Sequence, residues 1–487
     1  MIRRLALATL LASMSLAHAQ LPEPVSRLLG AAKMPDEAMS ALVLRGNTTV
    51  LSHLAERPMA PASTMKLVTT MVALDQLGPV FKGRTELRTT GEVVKGVLKG
   101  DLILRGGADA DFSGEVLEHM LQSLRNQGIR KIGGKLVLDR SLFNPGRMDV
   151  GVPPFDEAPE AYYNVIPDAL MVNKNMLQLD LRSNGEQLQL VIDPPLEKVS
   201  IAGDMSLVDA PCPKWEDGWK APEVLHERGG KLKVMLHGTF PKNCARTYAI
   251  NVLDRQDYLD RLFRLSWKKL GGAVSGETVD GTTPAEARLL AEHLARALPE
   301  VVRDVNKPSD NTLARTLFLS LGSLEADAQA GSHPIPGIST ETTFIRSDLA
   351  VRSWMRAHGI NDAGLILENG SGLSRMERIS PLQLASLLKA GLQSKWAPEF
   401  QASMPIVGID GTMRRRLKDS PAAEHARMKT GTLKDVVAIA GYVTDAGGQQ
   451  CIVVAMINHD LVGDGKGRAA LDALVDWVAR SNAPAAP

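Results

Sequence analysis

Apolar runs and their spacing outline the secondary structure at the front of the chain. Residues 41–46 and 48–54 form two short apolar runs around a Gly-Asn pair, a pattern that predicts a β-hairpin. Two prolines then interrupt the chain, and residues 63–77, which contain neither Gly nor Pro, predict a helix. Ser63 therefore lies at or just inside the N-terminus of that helix.

The pattern changes between about residues 84 and 279. Short apolar runs at 102–104, 135–138 and 187–192 predict strands, and residues 114–126 predict one helix among them. Turn-forming residues are frequent throughout this part of the chain. We interpret it as inserted β-rich material that forms more than one module.

Helical and strand patterns return in the rear of the chain. Helices are predicted over residues 283–297, 311–321 and 467–481. Strands are predicted over 434–442 and 449–458, joined by a hairpin turn that contains two glycines. The front and rear segments would thus form one α/β domain around the inserted material, followed by an Ala/Pro-rich tail, residues 482–487, that is predicted to be disordered.

The first residues have the pattern of a secretory signal. Arg3 and Arg4 precede an apolar run over residues 5–16, and Ala17-His18-Ala19 offers a small-x-small cleavage site. The mature chain would begin near Gln20 and be exported to the periplasm. The alternative, an uncleaved membrane anchor, is disfavoured because the apolar run is short for a bilayer span.

Composition narrows the classes of function. The chain has 487 residues, of which 44% are hydrophobic and 23% are charged, as in an ordinary globular protein of two or three domains. The formal net charge of +1 and the 4% aromatic content disfavour nucleic acid as a partner. No segment after the signal is long and apolar enough to predict a transmembrane span.

The three cysteines fit an exported protein. Cys212 and Cys244 lie in loop-like segments and are the predicted disulfide, whereas Cys451 lies in an apolar run and is predicted to be a buried free thiol. Three unpaired thiols are the alternative. The spacing of Cys and His matches no metal-binding pattern, so neither a metal nor a cofactor is expected.

Ser63-Thr64-Met65-Lys66 has the pattern SxxK, which places a serine and a lysine on one helical face. A serine hydroxyl needs a base to become a nucleophile, and a desolvated lysine beside another cation can be that base because both effects lower its pKa. The pattern is weak alone, since it recurs at Ser266 and Ser386 in amphipathic segments. The alternative is a serine N-cap with a solvated lysine.

Ser309-Asp310-Asn311 supplies a second motif, SxN, before a predicted helix. Ser309 would relay a proton to a leaving amine, and the Asn311 amide would hold both the substrate backbone and Lys66. The structural alternative is ordinary helix capping, for which these residue types are well suited.

Lys429-Thr430-Gly431-Thr432 supplies a third motif, KTG, at the start of a strand-like region. A strand edge can pair with an extended peptide, and Gly431 leaves room for close approach. Lys429 and Thr432 would bind a terminal carboxylate. The backbone N–H groups of Ser63 and Thr432 would form an oxyanion hole.

SxxK, SxN and KTG in this order are the motifs of β-lactamases and penicillin-binding proteins. With three further segments, the chain resembles the low-molecular-mass class C penicillin-binding proteins, which are D-alanyl-D-alanine carboxypeptidases and endopeptidases. Residues 100–107 look like the family's GDLxLxGG, residues 369–375 like its DGSGLSR with Asn369 in place of Asp, and residues 407–416 like its GxDGTLRRR.

The resemblance implies a fold and a domain organisation. The long gap between Lys66 and Ser309 is unlike class A β-lactamases and similar to class C penicillin-binding proteins, in which two domains are inserted there. The implied α/β (α+β) fold has a β-lactamase-like transpeptidase domain with two inserted β-rich domains. We predict a catalytic domain from residues 20–84 and 281–487, inserted domain II from 85–110 and 190–280, and inserted domain III from 111–189.

The resemblance also implies a reaction. Ser63 would attack the penultimate D-Ala carbonyl of peptidoglycan peptides, and β-lactams would acylate the same hydroxyl. By position, Asp156 and Arg375 would recognise the zwitterionic end of diaminopimelate in a cross-link. Two other functions remain open: a β-lactamase-like hydrolase, and a cell-wall-binding or penicillin-binding module without turnover.

Overall fold

The computed structural model describes residues 20–337 and 340–482. The predicted signal peptide, residues 1–19, lies outside the described residues, and so do residues 483–487 of the predicted tail. Within the described ranges, no helix combines the length and the apolar character that crossing a bilayer requires.

The two ends of the chain build one five-stranded antiparallel sheet. Its strands, in spatial order, are Thr48–His53, Met39–Arg45, Gln450–Asn458, Val436–Thr444 and Arg427–Leu433. Both predicted hairpins are confirmed. The KTG motif lies on the edge strand, Arg427–Leu433, which is called the KTG strand below.

Both faces of this sheet are covered at its inner strands Val436–Thr444 and Gln450–Asn458, which explains why these two strands are almost continuously apolar. Along residues 451–455, the odd-numbered side chains share a core with helices Glu23–Ala31 and Lys466–Arg480. The even-numbered side chains share another core with helices Lys66–Leu77 and Pro381–Gln393. Because successive side chains of a strand point to opposite faces of the sheet, a single strand contributes to both cores.

Helix Lys66–Leu77, called the serine helix below, is the centre of the helical layer. Ten of its twelve residues are buried, so other parts of the chain enclose it on nearly every side. Five helices surround it: Leu298–Asn306, Asn311–Leu321, Thr343–Ala357, Pro381–Gln393 and Ala397–Ser403. The serine helix is therefore held in place by the packing of the whole layer.

The inserted part of the chain contains four sheets and two helices around one apolar core. A five-stranded sheet has the order Thr278–Asp280, Leu136–Asp139, Leu102–Gly107, Arg84–Thr89, Arg288–Leu294. A four-stranded sheet has the order Ala273–Val274, Lys131–Ile132, Val97–Lys99, Glu92–Val94. The helices are Gly114–Asn126, which has the predicted bounds, and Arg255–Lys269.

The other two sheets of the insertion lie later in the sequence. One consists of Leu188–Asp193, Leu177–Ser183 and Ala245–Ile250. In the other, Lys231–Pro241 pairs with Val199–Gly203, Ser206–Val208 and Trp219–Glu227. A two-stranded sheet outside the insertion, Leu324–Asp327 with Gly331–Pro334, follows helix Asn311–Leu321.

Strand pairing crosses the inner boundaries predicted for the insertion. Leu136–Asp139 belongs to predicted domain III, yet it pairs with Leu102–Gly107 of predicted domain II. Leu177–Ser183 likewise pairs with Ala245–Ile250 from the other predicted domain. The sheets therefore do not separate at residues 110 and 190, because pairing partners need not be close in sequence. The division of the chain into domains stays a prediction.

The helix predicted over residues 283–297 is wrong. A strand, Arg288–Leu294, occupies most of that range and pairs with Arg84–Thr89, and a helix begins only at Leu298. The Leu- and Ala-rich composition suits a helix, but pairing with a neighbouring strand decided the outcome. The remaining helices and strands of the prediction are present, with ends shifted by a few residues.

The cysteines have the predicted arrangement. Cys212 and Cys244 form a disulfide with 5.4 Å between their Cα atoms, and Cys451 is a buried free thiol in the central sheet.

Gly372, in the turn at residues 369–375, passes close to the backbone of Ala62 and Ser63. Its φ is +78°, and a Cβ atom there would lie 1.7 Å from the Ala62 carbonyl oxygen and 2.8 Å from the Ser63 nitrogen. Only glycine fits, since both the conformation and the contact exclude a side chain.

We expect Gly372→Ala to lower the free energy of unfolding by roughly 2–5 kcal/mol, because backbone strain and overpacking add. Gly463→Ala is the matched control, since Gly463 has a φ of −58° and no atom within 4 Å of its Cβ position. Denaturant unfolding measures both variants. Similar destabilisation by the two substitutions would contradict the packing described for Gly372.

Candidate active site

The three sequence motifs meet at one groove of about 880 Å³. Its lining includes Ser63, Ser309 and Asn311, together with Thr430 and Thr432 of the KTG strand. The predicted site residues therefore come together although they are far apart in sequence.

Ser63 lies in a 3-10 turn, Ala62–Met65, that leads directly into the serine helix. The helix itself begins at Lys66, so the sequence prediction of its start was early by one turn. The Thr64 hydroxyl donates a hydrogen bond of 2.7 Å to the Pro61 carbonyl and fixes this turn. The turn leaves Ser63 half-buried at the groove.

The Lys66 side chain is fully buried and bonded on three sides. Its Nζ lies 2.9 Å from Ser63 Oγ, 2.6 Å from Asn311 Oδ1 and 2.6 Å from the Ser371 carbonyl oxygen. A neutral amine has two N–H donors and one lone pair. The amide and carbonyl oxygens can take the two donors, which aims the lone pair at the Ser63 hydroxyl.

Burial lowers the pKa of Lys66 to about 7. The negative charges of Glu377 and Asp310 act in the opposite direction, and the positive charge of Arg315 lowers the pKa further. A lysine with this pKa is substantially unprotonated at neutral pH and can accept the proton of Ser63.

The middle residue of the SxN motif caps a helix, and the two residues beside it line the groove. Asp310 is the N-cap of helix Asn311–Leu321, and its carboxylate accepts a 2.9 Å hydrogen bond from the Leu313 N–H. The same carboxylate pairs with Lys174 of the insertion at 2.5 Å. The capping role that the sequence left as an alternative is therefore real, and it fixes the residue between Ser309 and Asn311.

The insertion also orients Asn311. Its Nδ2 donates a 3.0 Å hydrogen bond to the Tyr163 carbonyl oxygen, which leaves Oδ1 facing Lys66. The predicted contact with Lys66 is confirmed, whereas the predicted contact with a substrate backbone stays a prediction.

Ser309 and Lys429 form a second serine–lysine pair. Lys429 Nζ donates to Ser309 Oγ at 2.8 Å and to the Thr430 carbonyl oxygen at 2.9 Å. Burial, and then the charge of Lys66, lower the pKa of Lys429 well below its usual value. Ser309 has a φ of +68°, a strained conformation for a residue other than glycine.

The KTG strand forms one wall of the groove. A Cβ atom on Gly431 would lie 2.6 Å from the Pro61 carbonyl oxygen and 2.9 Å from the Ser63 nitrogen, so a glycine is required where the strand passes the serine. Thr430 and Thr432 line the groove, whereas Lys429 is buried behind it. Carboxylate binding by Lys429 and Thr432, and the oxyanion hole, stay predictions.

Asp156 and Arg375 both line the groove. Asp156 accepts hydrogen bonds from the Ala158 N–H at 3.0 Å and from Asn164 Nδ2 at 2.8 Å. The Arg375 guanidinium lies 4.9 Å from the ring centre of Phe155, the neighbour of Asp156. The structure therefore brings the two together, and their role in recognition stays a prediction.

Several groups at the site were not predicted. The Ser371 carbonyl binds Lys66, and its hydroxyl donates to Asn369 Oδ1 at 2.6 Å, so Asn369 supports this turn. Glu377 is buried beneath the turn and accepts hydrogen bonds from three consecutive N–H groups at 368–370. The motif at 369–375 marked the turn, but no sequence pattern marked Glu377.

The two other SxxK matches lie away from the groove. Ser266 is buried in helix Arg255–Lys269, and Ser386 lies in helix Pro381–Gln393. Neither lines the groove. The helical interpretation of both matches is confirmed.

Comparison with curated proteins finds relatives over most of the chain. D-alanyl-D-alanine carboxypeptidase DacB of Haemophilus influenzae is 27% identical over 445 residues, which are 89% of this chain and 88% of that protein. The D-alanyl-D-alanine carboxypeptidase of Actinomadura sp. is 26% identical over 408 residues, which are 82% of this chain and 73% of that protein.

Solved structures give the same result. Penicillin-binding protein 4 (dacB) from Haemophilus influenzae matches with a TM-score of 0.74 and 26% identity, over 93% of this chain and 98% of that one. This likeness confirms the predicted penicillin-binding-protein fold. The family model of the D-Ala-D-Ala carboxypeptidase 3 (S13) family matches residues 30–481. The chain therefore belongs to the D-Ala-D-Ala carboxypeptidase 3 (S13) family.

Proposed function

We propose that this chain is an exported serine DD-peptidase that cleaves peptidoglycan peptides through an acyl-Ser63 intermediate. The observation that carries the proposal is the buried Lys66, whose Nζ lies 2.9 Å from Ser63 Oγ while protein oxygens accept its other hydrogen bonds. The names of the curated relatives, D-alanyl-D-alanine carboxypeptidases, support the substrate. The signal-like residues 1–19 support export to the periplasm.

Acylation needs a proton to move twice. Ser63 Oγ attacks the penultimate D-Ala carbonyl, its proton passes to Lys66, and an ester bond forms as the amide bond breaks. The leaving amine takes up the proton that Lys66 accepted, and in this proposal Ser309, which accepts a hydrogen bond from Lys429 at 2.8 Å, relays that proton, so Lys66 is neutral again. Water then hydrolyses the ester, with Lys66 again as base.

Charge develops on the carbonyl oxygen during attack. The N–H groups of Ser63 and Thr432 are the proposed donors to that oxygen, and one such donor is worth roughly 3–4 kcal/mol in the transition state. Thr430 and Thr432, which line the groove, would hold the terminal carboxylate, and Lys429 would act from behind them through Ser309. A β-lactam presents a strained amide to the same atoms, and a crystal structure of the Haemophilus influenzae relative contains a β-lactam.

The groove has room for more than a D-Ala-D-Ala terminus. On the side of Arg375, a carboxylate and a guanidinium lie on one wall, a combination suited to a zwitterionic amino-acid end. We therefore propose endopeptidase action on D-Ala–diaminopimelate cross-links in addition to carboxypeptidase action.

We expect Ser63→Ala to abolish covalent labelling by a fluorescent penicillin, because the acylated oxygen is lost. Ser386→Ala removes the serine of another SxxK pattern and should label like the unchanged protein. Gel fluorescence measures labelling, and thermal unfolding shows that each variant is folded. Labelling that survives Ser63→Ala would exclude Ser63 as the nucleophile.

We expect the rate of penicillin acylation to fall as the pH drops through about 7, because protonated Lys66 cannot act as a base. Asn311→Asp places a carboxylate where the amide oxygen lies 2.6 Å from Lys66 Nζ, which favours the ammonium form. The pH at which the acylation rate falls on the acid side should therefore rise by about 1–3 pH units in this variant.

Asn47→Asp is the matched control for this shift. Asn47 Oδ1 accepts a 2.7 Å hydrogen bond from Lys389 in an exposed part of the chain, so the substitution makes the same change beside another lysine. Its profile should match that of the unchanged protein. An acylation rate that falls at the same pH in Asn311→Asp would mean that Lys66 is not the group that titrates.

We expect Asp156→Asn and Arg375→Gln each to lower kcat/KM about tenfold for peptides with a free zwitterionic diaminopimelate end, the loss of one charge-assisted hydrogen bond. Peptides in which that end is acetylated should lose less. Glu186→Gln changes an exposed carboxylate of the insertion that does not line the groove and is the control. An equal loss of kcat/KM for the free and the acetylated peptide would show that the two residues support the groove without binding the zwitterionic end.

A further inference from the structure

A second pocket of about 390 Å³ adjoins the groove, and arginines dominate its lining. Gly411, Thr412, Thr430 and Thr432 form one side, and four arginines complete it: Arg414, Arg415, Arg416 and Arg468. We call this the arginine pocket. The mechanism described above uses none of the four arginines.

Three of these arginines carry uncompensated charge. Arg416 is neutralised, since it forms three hydrogen bonds to Asp472, the shortest of them 2.6 Å. Arg414, Arg415 and Arg468 are exposed and form no ion pair with another residue of the described ranges. Three positive charges around so small a volume attract an anion, and arginine favours carboxylates because its planar fork matches their two oxygens.

The loop that carries Arg414, Arg415 and Arg416 is held in a defined position. Lys307 pairs with the Asp410 carboxylate, and the Thr412 N–H donates a 3.1 Å hydrogen bond to the Lys307 carbonyl oxygen. Gly411 has a φ of +54°, and a Cβ atom there would lie 2.6 Å from the same carbonyl. The backbone on which the loop arginines stand is therefore held in position before any ligand binds.

The position of the pocket indicates which part of a substrate reaches it. Thr412, Thr430 and Thr432 line both the groove and the arginine pocket, whereas Asp156 and Arg375 line the groove alone. If the threonines hold the carboxylate of the departing residue, the arginine pocket adjoins that carboxylate, on a side that neither Asp156 nor Arg375 lines.

We propose that the arginine pocket binds a second carboxylate on the leaving residue, and so favours substrates whose departing part is an acidic amino acid or peptide over those that release plain D-Ala. This inference rests on the proposed peptidase function. It adds a recognition site for the leaving side, lined by residues other than the candidates Asp156 and Arg375.

The test compares two peptides that share one acyl part and differ only at the end of the leaving residue's side chain, a carboxylate in one and a carboxamide in the other. The unchanged protein should cleave the carboxylate peptide with about tenfold higher kcat/KM, and 0.5 M salt should reduce this ratio by screening. In the triple variant R414Q/R415Q/R468Q the ratio should fall to about one.

Arg228→Gln is the control, because Arg228 lies in an exposed turn of the insertion and does not line either pocket. Its ratio should equal that of the unchanged protein. The single variant Arg468→Gln changes an arginine on the surface of a helix and should give an intermediate ratio of the two kcat/KM values. It replaces the triple variant in the test if the triple variant does not fold.

Penicillin labelling of Ser63 in every variant separates this proposal from the proposed function. Without labelling of the unchanged protein, the peptidase function fails. With labelling intact, either a ratio near one in the unchanged protein or a ratio unaffected by the substitutions would overturn the arginine pocket as a leaving-side site.

Discussion

The arrangement of the active-site groove depends on the burial of one lysine. Lys66 lies in the serine helix with no exposed surface, and its amine is held by Ser63, by Asn311 and by the Ser371 carbonyl. A buried amine is costly unless it is bonded or uncharged. The helical layer, the SxN motif and the turn at 369–375 meet that requirement together, and by meeting it they give a lysine that can act as a base.

The insertion takes part in the site as well as extending the fold. The Tyr163 carbonyl orients the Asn311 amide, Lys174 pairs with Asp310, and the segment around Asp156 lines the groove. These contacts come from a part of the chain whose sheets have their own core. Changes in the insertion can therefore alter the pKa of Lys66 through Asn311 and Asp310, without touching a substrate.

Charge is distributed unevenly although the formal net charge is only +1. Two buried lysines, Lys66 and Lys429, lie behind the groove, and the second has a lowered pKa partly because of the first. Arg375 lies along the groove and the arginine pocket adjoins it. The two buried lysines are the groups proposed for proton transfer, and the arginines along the groove would suit a substrate rich in carboxylates. The net charge of the whole chain does not reveal these local clusters of positive charge.

The sequence determined the local structure and the identity of the chemical groups. Helices Gly114–Asn126 and Asn311–Leu321 have the predicted bounds, because periodicity and capping act over a few residues. The motifs selected Ser63 from three SxxK matches. Tertiary structure decided the strand at Arg288–Leu294, the sheets of the insertion and the contacts of Glu377 and Tyr163. These depend on strand pairing and burial between distant segments, and no local pattern encodes which distant segment will supply the partner.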